Sequence, residues 1–342
     1  MKLKALVTAE VIPSILEEFA DSIIFEYAGY ALDHNVMPRA ELKERIRDVD
    51  ILICEYDTID AEIFDCAPQL KLIMCCRGGI KTVVDIEKAM ERGIIVCNNV
   101  GRNAAAVSDL VIGFMLDLTR NITRTDRLIH ERVITTDVKT KPEEYRDTVW
   151  GLDAQSPFIR YRGRSLNHMT LGVVGCGSAG RKLARKALAF GMTVLAYDPY
   201  IDPERVPEGV TLVKFDRLLE QSDVVSLHCV ATPQTRDMFK AAEFARMKQD
   251  AYFINTARGE LVDEAALIEA LKSGHLAGAA LDVTREEPIA ADCPLLDAPN
   301  LIITPHIGGS AYDVQVVGTT MIANDLRAWL KGDRPKNCVV YK

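Results

Sequence analysis

Between Thr170 and Asp198 the chain runs through a short apolar stretch, a glycine turn, a helical stretch, a second β-rich stretch and an acid, an order that few folds accommodate. Thr170 to Val174 is followed at once by Gly175-Cys176-Gly177-Ser178-Ala179-Gly180. Apolar Leu183, Ala184, Ala187, Leu188 and Phe190 recur at three- and four-residue spacing, which predicts a helix from Arg181 until Gly191 closes it. Met192 to Tyr197 predicts a strand that ends in Asp198.

Each part suits a dinucleotide. Gly175 allows the tight turn, Gly177 lets the backbone approach a pyrophosphate, and Gly180 lets helix pack closely on strand. The helix start offers unpaired N–H groups and a positive dipole end to the phosphates. Asp198 falls about 20 residues on, where a carboxylate accepts bonds from a ribose 2′-hydroxyl. That favours NAD over NADP, because a 2′-phosphate would be repelled and Pro199 and Tyr200 offer it no arginine.

The length of 342 residues suggests two domains. A formal net charge of -8 argues against nucleic acid as a partner, since phosphate binding needs a basic face. The apolar start Leu3 to Val7 stops at Thr8 without a small-residue cleavage site, so it reads as a first strand. No apolar stretch is long enough to span a bilayer, and a soluble, cytoplasmic protein is expected. Nine scattered cysteines lack Cys-x-x-Cys spacing and read as small buried hydrophobes in a reducing compartment. Cys176, inside the glycine turn, is expected to be partly exposed. The six histidines lack ligand spacing too, so no metal is expected.

The first hundred residues alternate strand and helix, which implies a parallel sheet covered on both faces. Within them Arg77-Gly78-Gly79-Ile80-Lys81 follows the strand Leu72 to Cys76. It is either a backbone anion site beyond a strand end or a plain turn with solvated charges. Gly101 to Leu118 predicts a long helix with Val107, Leu110, Val111, Phe114, Met115 and Leu118 as its stripe, carrying the chain into the next domain. Arg120 to Gly163 is polar and too long for a structureless loop, and reads as an extended helix and arm on a partner subunit, or as a surface insertion. Strands at Val224 to Leu227, Tyr252 to Asn255, Ala277 to Leu281 and Leu301 to Thr304 complete a second sheet around the glycine turn. Ala311 to Leu330 predicts an amphipathic helix with Val314, Val317, Met321, Leu326 and Leu330 on one face, returning to cover the first domain.

Three strand ends of the second domain carry Arg258, Glu287 and His306. Singly, these read as a surface cation, a turn acid and a structural histidine. Together they match what reduction of a 2-oxoacid needs. Arginine binds a carboxylate with its planar fork and polarises the carbonyl. Histidine, with an unperturbed pKa of about 6.5, exchanges a proton near neutrality. A neighbouring carboxylate stabilises the imidazolium.

On Leu171 to Gly180, Ser226 to Cys229, Asn255-Thr-Ala-Arg-Gly-Glu-Leu-Val-Asp263, Ala280 to Val283 with Glu287-Pro288, and Pro305-His-Ile-Gly-Gly309, the chain resembles the D-isomer-specific 2-hydroxyacid dehydrogenases. The resemblance, with a weaker part from about Asp50 to Leu118, covers most of the chain. It implies an α/β protein of two doubly wound parallel-sheet domains with a cleft between them. One is a flavodoxin-like substrate domain, 1–103 and 309–342, and the other a Rossmann NAD-binding domain, 104–308, with a dimerisation arm at about 120–163. It further implies that Arg258 binds substrate, His306 is the acid/base and Glu287 supports it. By the same resemblance Ser178 and Ala179 touch the pyrophosphate, while Cys229, Val230, Ala257, Asp282 and Gly308 lie near the cofactor. The backbone at Gly78 and Gly79 would hold the substrate carboxylate, and members are usually homodimers.

Departures bear on the substrate. The loop Arg77 to Val84 is one residue short, and Thr284 stands where an aromatic is common. Arg77 matches an arginine of phosphoglycerate dehydrogenases, and with Lys81 hints at an extra anionic group. Glu55 replaces another phosphate-binding arginine, and a carboxylate there would repel phosphate. A sugar acid or other hydroxylated 2-hydroxyacid is therefore expected, with 3-phosphoglycerate or glyoxylate and hydroxypyruvate as alternatives. A rival of another class is an NAD(H)-sensing regulatory scaffold of the corepressor kind, which would not need a matched acid and orienting carboxylate. Formate oxidation would pair the histidine with a glutamine, where this chain has Glu287.

Overall fold

A computed structural model describes residues 2–135 and 156–340, so the middle of the expected arm, Trp150 included, lies outside the described residues. The chain packs as two compact units, one running to Asn103 and resuming at Ser310, the other spanning Ala104–Gly309.

The first unit holds strands β1 (Leu3–Val7), β2 (Ile23–Tyr27), β3 (Ile51–Cys54), β4 (Leu72–Cys75) and β5 (Ile95–Asn98). The second holds β6 (Thr170–Val174), β7 (Thr193–Tyr197), β8 (Val210–Leu212), β9 (Val224–Leu227), β10 (Ala251–Asn255), β11 (Leu276–Leu281) and β12 (Leu301–Ile303). The last strand, β13 (Cys338–Val340), returns to the first unit.

In the first unit the order is β13-β5-β4-β3-β1-β2, parallel except for β13, which runs antiparallel to β5 at the edge. Both faces are buried, which explains the unbroken apolar runs. Val7, Ile53 and Met74 point to the face covered by Ile322, Ala323 and Leu326 of the helix Tyr312–Leu330. Leu6, Leu52 and Ile73 point the other way, into a core with Leu42, Ile63 and Phe64. The tail helix does cover this sheet, with only part of the expected face, Val314 and Leu326, against it. Its buried row is Val314, Gly318, Ile322 and Leu326, whereas Val317 and Leu330 are 39% and 37% exposed. Spacing of four residues defines that row, and Gly318, having no side chain, hides it from a hydrophobicity count.

In the second unit the parallel order is β12-β11-β10-β9-β6-β7-β8. The chain winds outward from β6 to β8 and then, from β9, in the opposite direction, so the glycine turn after β6 sits at the topological switch point. The following helix is Ser178–Ala189 and starts three residues before the expected Arg181. Gly180 lies in its first turn, because a β-carbon there would stand 2.1 Å from the carbonyl oxygen of Gly175. The helix Ala104–Arg120 begins at the unit boundary and packs on Ser178–Ala189, burying Val107, Val111, Phe114 and Met115 with Leu110 and Leu118 partly covered.

Candidate active site

Gly175 has φ +94°, and a β-carbon on it would come within 2.7 Å of the Cys229 nitrogen, so the turn closes against the end of β9 only with glycine. Beyond Gly177 the space is open: a β-carbon would meet nothing within 4 Å. Gly177 caps the helix without a side-chain bond, leaving the amides of Ser178 and Ala179 to a ligand. Cys176 is fully buried, contrary to the expected partial exposure, since its side chain joins the core with Leu183 and Ala184. Its N–H donates to Asp198 Oδ2 at 2.8 Å, and its carbonyl accepts from Arg181 Nη1 at 2.9 Å. Asp198 Oδ1 accepts from the Tyr200 amide at 2.9 Å. The carboxylate is thus fixed beside the glycine turn with lone pairs to spare for a ribose.

At the end of β9, Val230 is 72% exposed and Cys229 turns its thiol toward Met238, 3.6 Å away. His228 Nε2 lies 2.9 Å from Ser226 Oγ, and burial pulls its pKa down to about 4, so it is neutral near pH 7. Next to Ala257, Thr256 contributes a buried hydroxyl that has no partner among the described residues. An open glycine turn, uncapped amides, a fixed acid and an orphaned hydroxyl along one sheet edge fit a dinucleotide such as NAD.

Arg258, Glu287 and His306 follow β10, β11 and β12, three adjacent parallel strands. His306 Nδ1 is 2.7 Å from Glu287 Oε2, with both side chains roughly half exposed. The other Glu287 oxygen accepts from the Thr284 amide at 3.2 Å. Arg258 is not bonded to either partner: its Nη1 donates to the Ala257 carbonyl at 2.6 Å, and among the described residues Nε and Nη2 are left for another acceptor.

Residues given no such task by the sequence hold this trio. Asp282, 1% exposed, accepts from Thr304 Oγ1 at 2.6 Å, the Ile307 amide at 2.8 Å and the Gly308 amide at 2.7 Å. It was expected near the cofactor, and its carboxylate serves to pin the loop that carries His306. Gly308 is required there because a β-carbon would stand 2.8 Å from Asp282 Oδ2. His306 itself adopts φ +55°, the left-handed region. Asn255 brackets the Arg258 loop, accepting from the Ala257 amide at 3.0 Å and donating to the Arg258 carbonyl at 2.8 Å. Gly259 lets that loop lie against Thr284, whose carbonyl would be 2.2 Å from an added β-carbon. Thr284 is itself buried, its hydroxyl donating to the Glu286 carbonyl at 2.6 Å.

In the first unit Arg77, Gly78, Gly79 and Lys81 follow β4, with the Arg77 guanidinium 5.1 Å over the Tyr56 ring. Both glycines and Lys81 are exposed. Glu55, expected to face and repel a phosphate, is 3% exposed and paired with Arg102, its second oxygen accepting from the Glu10 amide at 3.4 Å. Burial pushes its carboxyl above the usual range, and Arg102 opposes that shift. It is an internal group. Among the described residues no cluster of three or more His, Cys, Asp or Glu could hold a metal ion.

A family model described as D-isomer specific 2-hydroxyacid dehydrogenase, NAD binding domain, matches residues 112–308. The chain is 36% identical to the D-3-phosphoglycerate dehydrogenase of Methanocaldococcus jannaschii over 92% of its own length, and spans 56% of that relative. It is 35% identical to the glyoxylate reductase of Thermofilum pendens, covering 94% of this chain and 89% of the relative. Among solved structures, the D-lactate dehydrogenase of Aquifex aeolicus complexed with NAD and lactic acid is similar at a TM-score of 0.71 and 26% identity over 99% of both chains. The chain belongs to the D-isomer-specific 2-hydroxyacid dehydrogenase family of enzymes, and its second unit contains that family's NAD-binding domain.

Proposed function

We propose that the protein interconverts a D-2-hydroxyacid and the corresponding 2-oxoacid with NAD(H). The observation that carries this reading is the 2.7 Å contact between His306 Nδ1 and Glu287 Oε2. With Nδ1 on the carboxylate, Nε2 is left to exchange a proton with the substrate oxygen, giving it in reduction and taking it in oxidation. Glu287 orients the ring and stabilises the imidazolium. Arg258 offers Nε and Nη2 to the substrate carboxylate and carbonyl. On the first unit, the amides of Gly78 and Gly79 offer donors to a substrate carboxylate. Bound NAD(H) supplies the hydride acceptor or donor, held by Gly175, Gly177, Ser178, Ala179, Gly180 and Asp198, with Cys229, Val230, Ala257, Asp282 and Gly308 alongside.

The substrate we favour is a sugar acid or another hydroxylated 2-hydroxyacid. Beside the half-buried Arg77, Tyr56, Tyr30 and the His34–Glu10 pair supply hydroxyl, imidazole and carboxylate groups suited to a hydroxylated tail. Since Glu55 is paired internally, phosphohydroxypyruvate stays on the list of substrates to be tried. The relatives' names lend no support to a regulatory scaffold. A homodimer fits the helix Ile122–His130, where Ile122 and Ile129 are each 53% exposed, and Phe158 beyond it at 72%. Nine cysteines without a disulfide fit the cytoplasm.

The test is NADH oxidation against glyoxylate, hydroxypyruvate, pyruvate, phosphohydroxypyruvate, phenylpyruvate and 2-keto sugar acids, with NADPH in parallel. His306→Asn should lower kcat by about 100-fold or more on the best substrate and leave NADH affinity unchanged. Full activity of that variant would remove His306 from the proton step.

A further inference from the structure

The exposed turn after β4 presents two peptide groups whose orientation is set from outside the turn. The carbonyl of Arg77 accepts the backbone N–H of Asn99 at 3.1 Å. The carbonyl of Gly78, one residue on, accepts Nδ2 of Asn98 at 2.8 Å. In a trans peptide the N–H points opposite to the C=O across the same plane. Fixing these two carbonyls toward the end of β5 therefore turns the N–H groups of Gly78 and Gly79 to the opposite side. Among the described residues neither N–H has a protein acceptor. Nothing lies within 4 Å of a β-carbon built on Gly79, and only the Val100 Cα, at 3.7 Å, approaches one on Gly78. Two adjacent donors, open above and held from behind, form a receptor for a small anion.

Asn98 and Asn99 are themselves held. The Asn98 amide donates to the Asn337 carbonyl at 3.1 Å, and Asn337 Nδ2 donates to the buried Asp325 Oδ2 at 2.9 Å. Asn99, 3% exposed, donates through Nδ2 to the Gly318 carbonyl at 3.0 Å. The Arg102 amide donates to the Asn99 carbonyl at 3.3 Å, and the Arg102 side chain ends on Glu55. The returning tail and a buried ion pair thus brace both asparagines.

We propose that Asn98 is a positioning residue for substrate binding: by fixing the Gly78 carbonyl it aims the Gly79 amide, alongside that of Gly78, at the carboxylate of the 2-oxoacid. The assignment rests on the reading that Gly78 and Gly79 hold that carboxylate. Asn98 touches neither substrate nor cofactor.

The experiment is steady-state kinetics of Asn98→Ala and of the isosteric Asn98→Asp, whose carboxylate cannot donate to Gly78, on the fastest 2-oxoacid of the panel and on its methyl ester. Both variants should raise KM for the acid about tenfold, equivalent to about 1.4 kcal/mol. The value of kcat should hold within about twofold, and the NADH dissociation constant should not change. The ester, having no carboxylate, should show no comparable rise. An unchanged KM for the acid, or an equal rise for acid and ester, overturns the positioning role. Gly79→Pro, which deletes the N–H, separates the two layers once thermal melting shows it folded. If its KM for the acid equals that of the wild type, the carboxylate reading fails and the positioning role with it. If Gly79→Pro raises KM and the Asn98 variants do not, only the role of Asn98 is lost. Absence of turnover by the wild type on the whole panel overturns the reading beneath both.

Discussion

Asp282→Asn should uncouple the His306 loop from its strand at almost constant volume. In the native protein Oδ1 takes the Thr304 hydroxyl and the Ile307 amide, and Oδ2 takes the Gly308 amide. An asparagine that keeps its oxygen on the first pair turns an NH2 group toward the Gly308 N–H, setting donor against donor 2.7 Å apart in a place that is 1% exposed. A hydrogen bond to a charged acceptor contributes about 1.5–3 kcal/mol, and a buried unsatisfied N–H costs about 1–3 kcal/mol. These overlap, so the net loss is about 2–4 kcal/mol. A unit of this size loses about 2–4 °C of Tm per kcal/mol, which places the expected drop at about 4–16 °C. Because His306 sits on the same loop, a displacement of about 1 Å should cost about 100-fold in kcat. Thr304→Val removes only one neutral donor and should fall between wild type and Asp282→Asn in both respects. Calorimetric melts and NADH oxidation on the best substrate are the assays. If Asp282→Asn melts within about 1 °C of wild type, the three bonds do not carry the stability assigned to them. If it melts low but retains full kcat, Asp282 supports the fold without positioning His306.

Two further perturbations follow from buried charge. Arg102→Met leaves Glu55 buried without its partner and should destabilise the first unit by about 3–5 kcal/mol, read from urea unfolding; a loss below about 1 kcal/mol would show that the pair does not carry the stability assigned to it. His228, depressed from 6.5 to about 4, binds its proton more weakly folded than unfolded. Its contribution is therefore present above pH 6.5 and is lost as pH falls from 6.5 toward 4, by at most about 3 kcal/mol at 1.36 kcal/mol per unit. His228→Gln should flatten that part of the stability profile, and an identical acid slope in the variant would show that other groups set it.

Most of the architecture was legible because a parallel sheet buried on both faces writes each central strand as an apolar run. β1, β6 and β9 stand where those runs stand. β8 and β13 escaped, each being three residues at a sheet edge, where there is little to bury and so little pattern to write. The helix after the glycine turn starts earlier than its apolar spacing predicts for a related reason. Gly180 is a poor helix former and marks a loop in a propensity count, yet its contact with Gly175 admits no other residue.

The groups proposed to meet substrate were legible for a different reason from the groups that position them. Arg258, Glu287 and His306 carry functional groups whose chemistry is apparent from residue type, and their strand ends bring them to one edge of a sheet. Asp282, Asn255 and Asn98 act on main-chain N–H and C=O groups, which every residue possesses. Nothing in sequence spacing says which loop amide an asparagine will reach; that depends on the register of neighbouring strands, as when β4 and β5 pair Cys75 with Asn98 and bring the asparagine beside the turn. The same logic explains Glu55. Read by type it is an anion at a substrate edge, whereas β1, β3 and the segment after β5 place a backbone amide and a guanidinium around it and remove it from the surface. The charges left at this edge of the first unit are therefore those of the half-buried Arg77 and the exposed Lys81, and the proposed substrate reading rests on them rather than on Glu55.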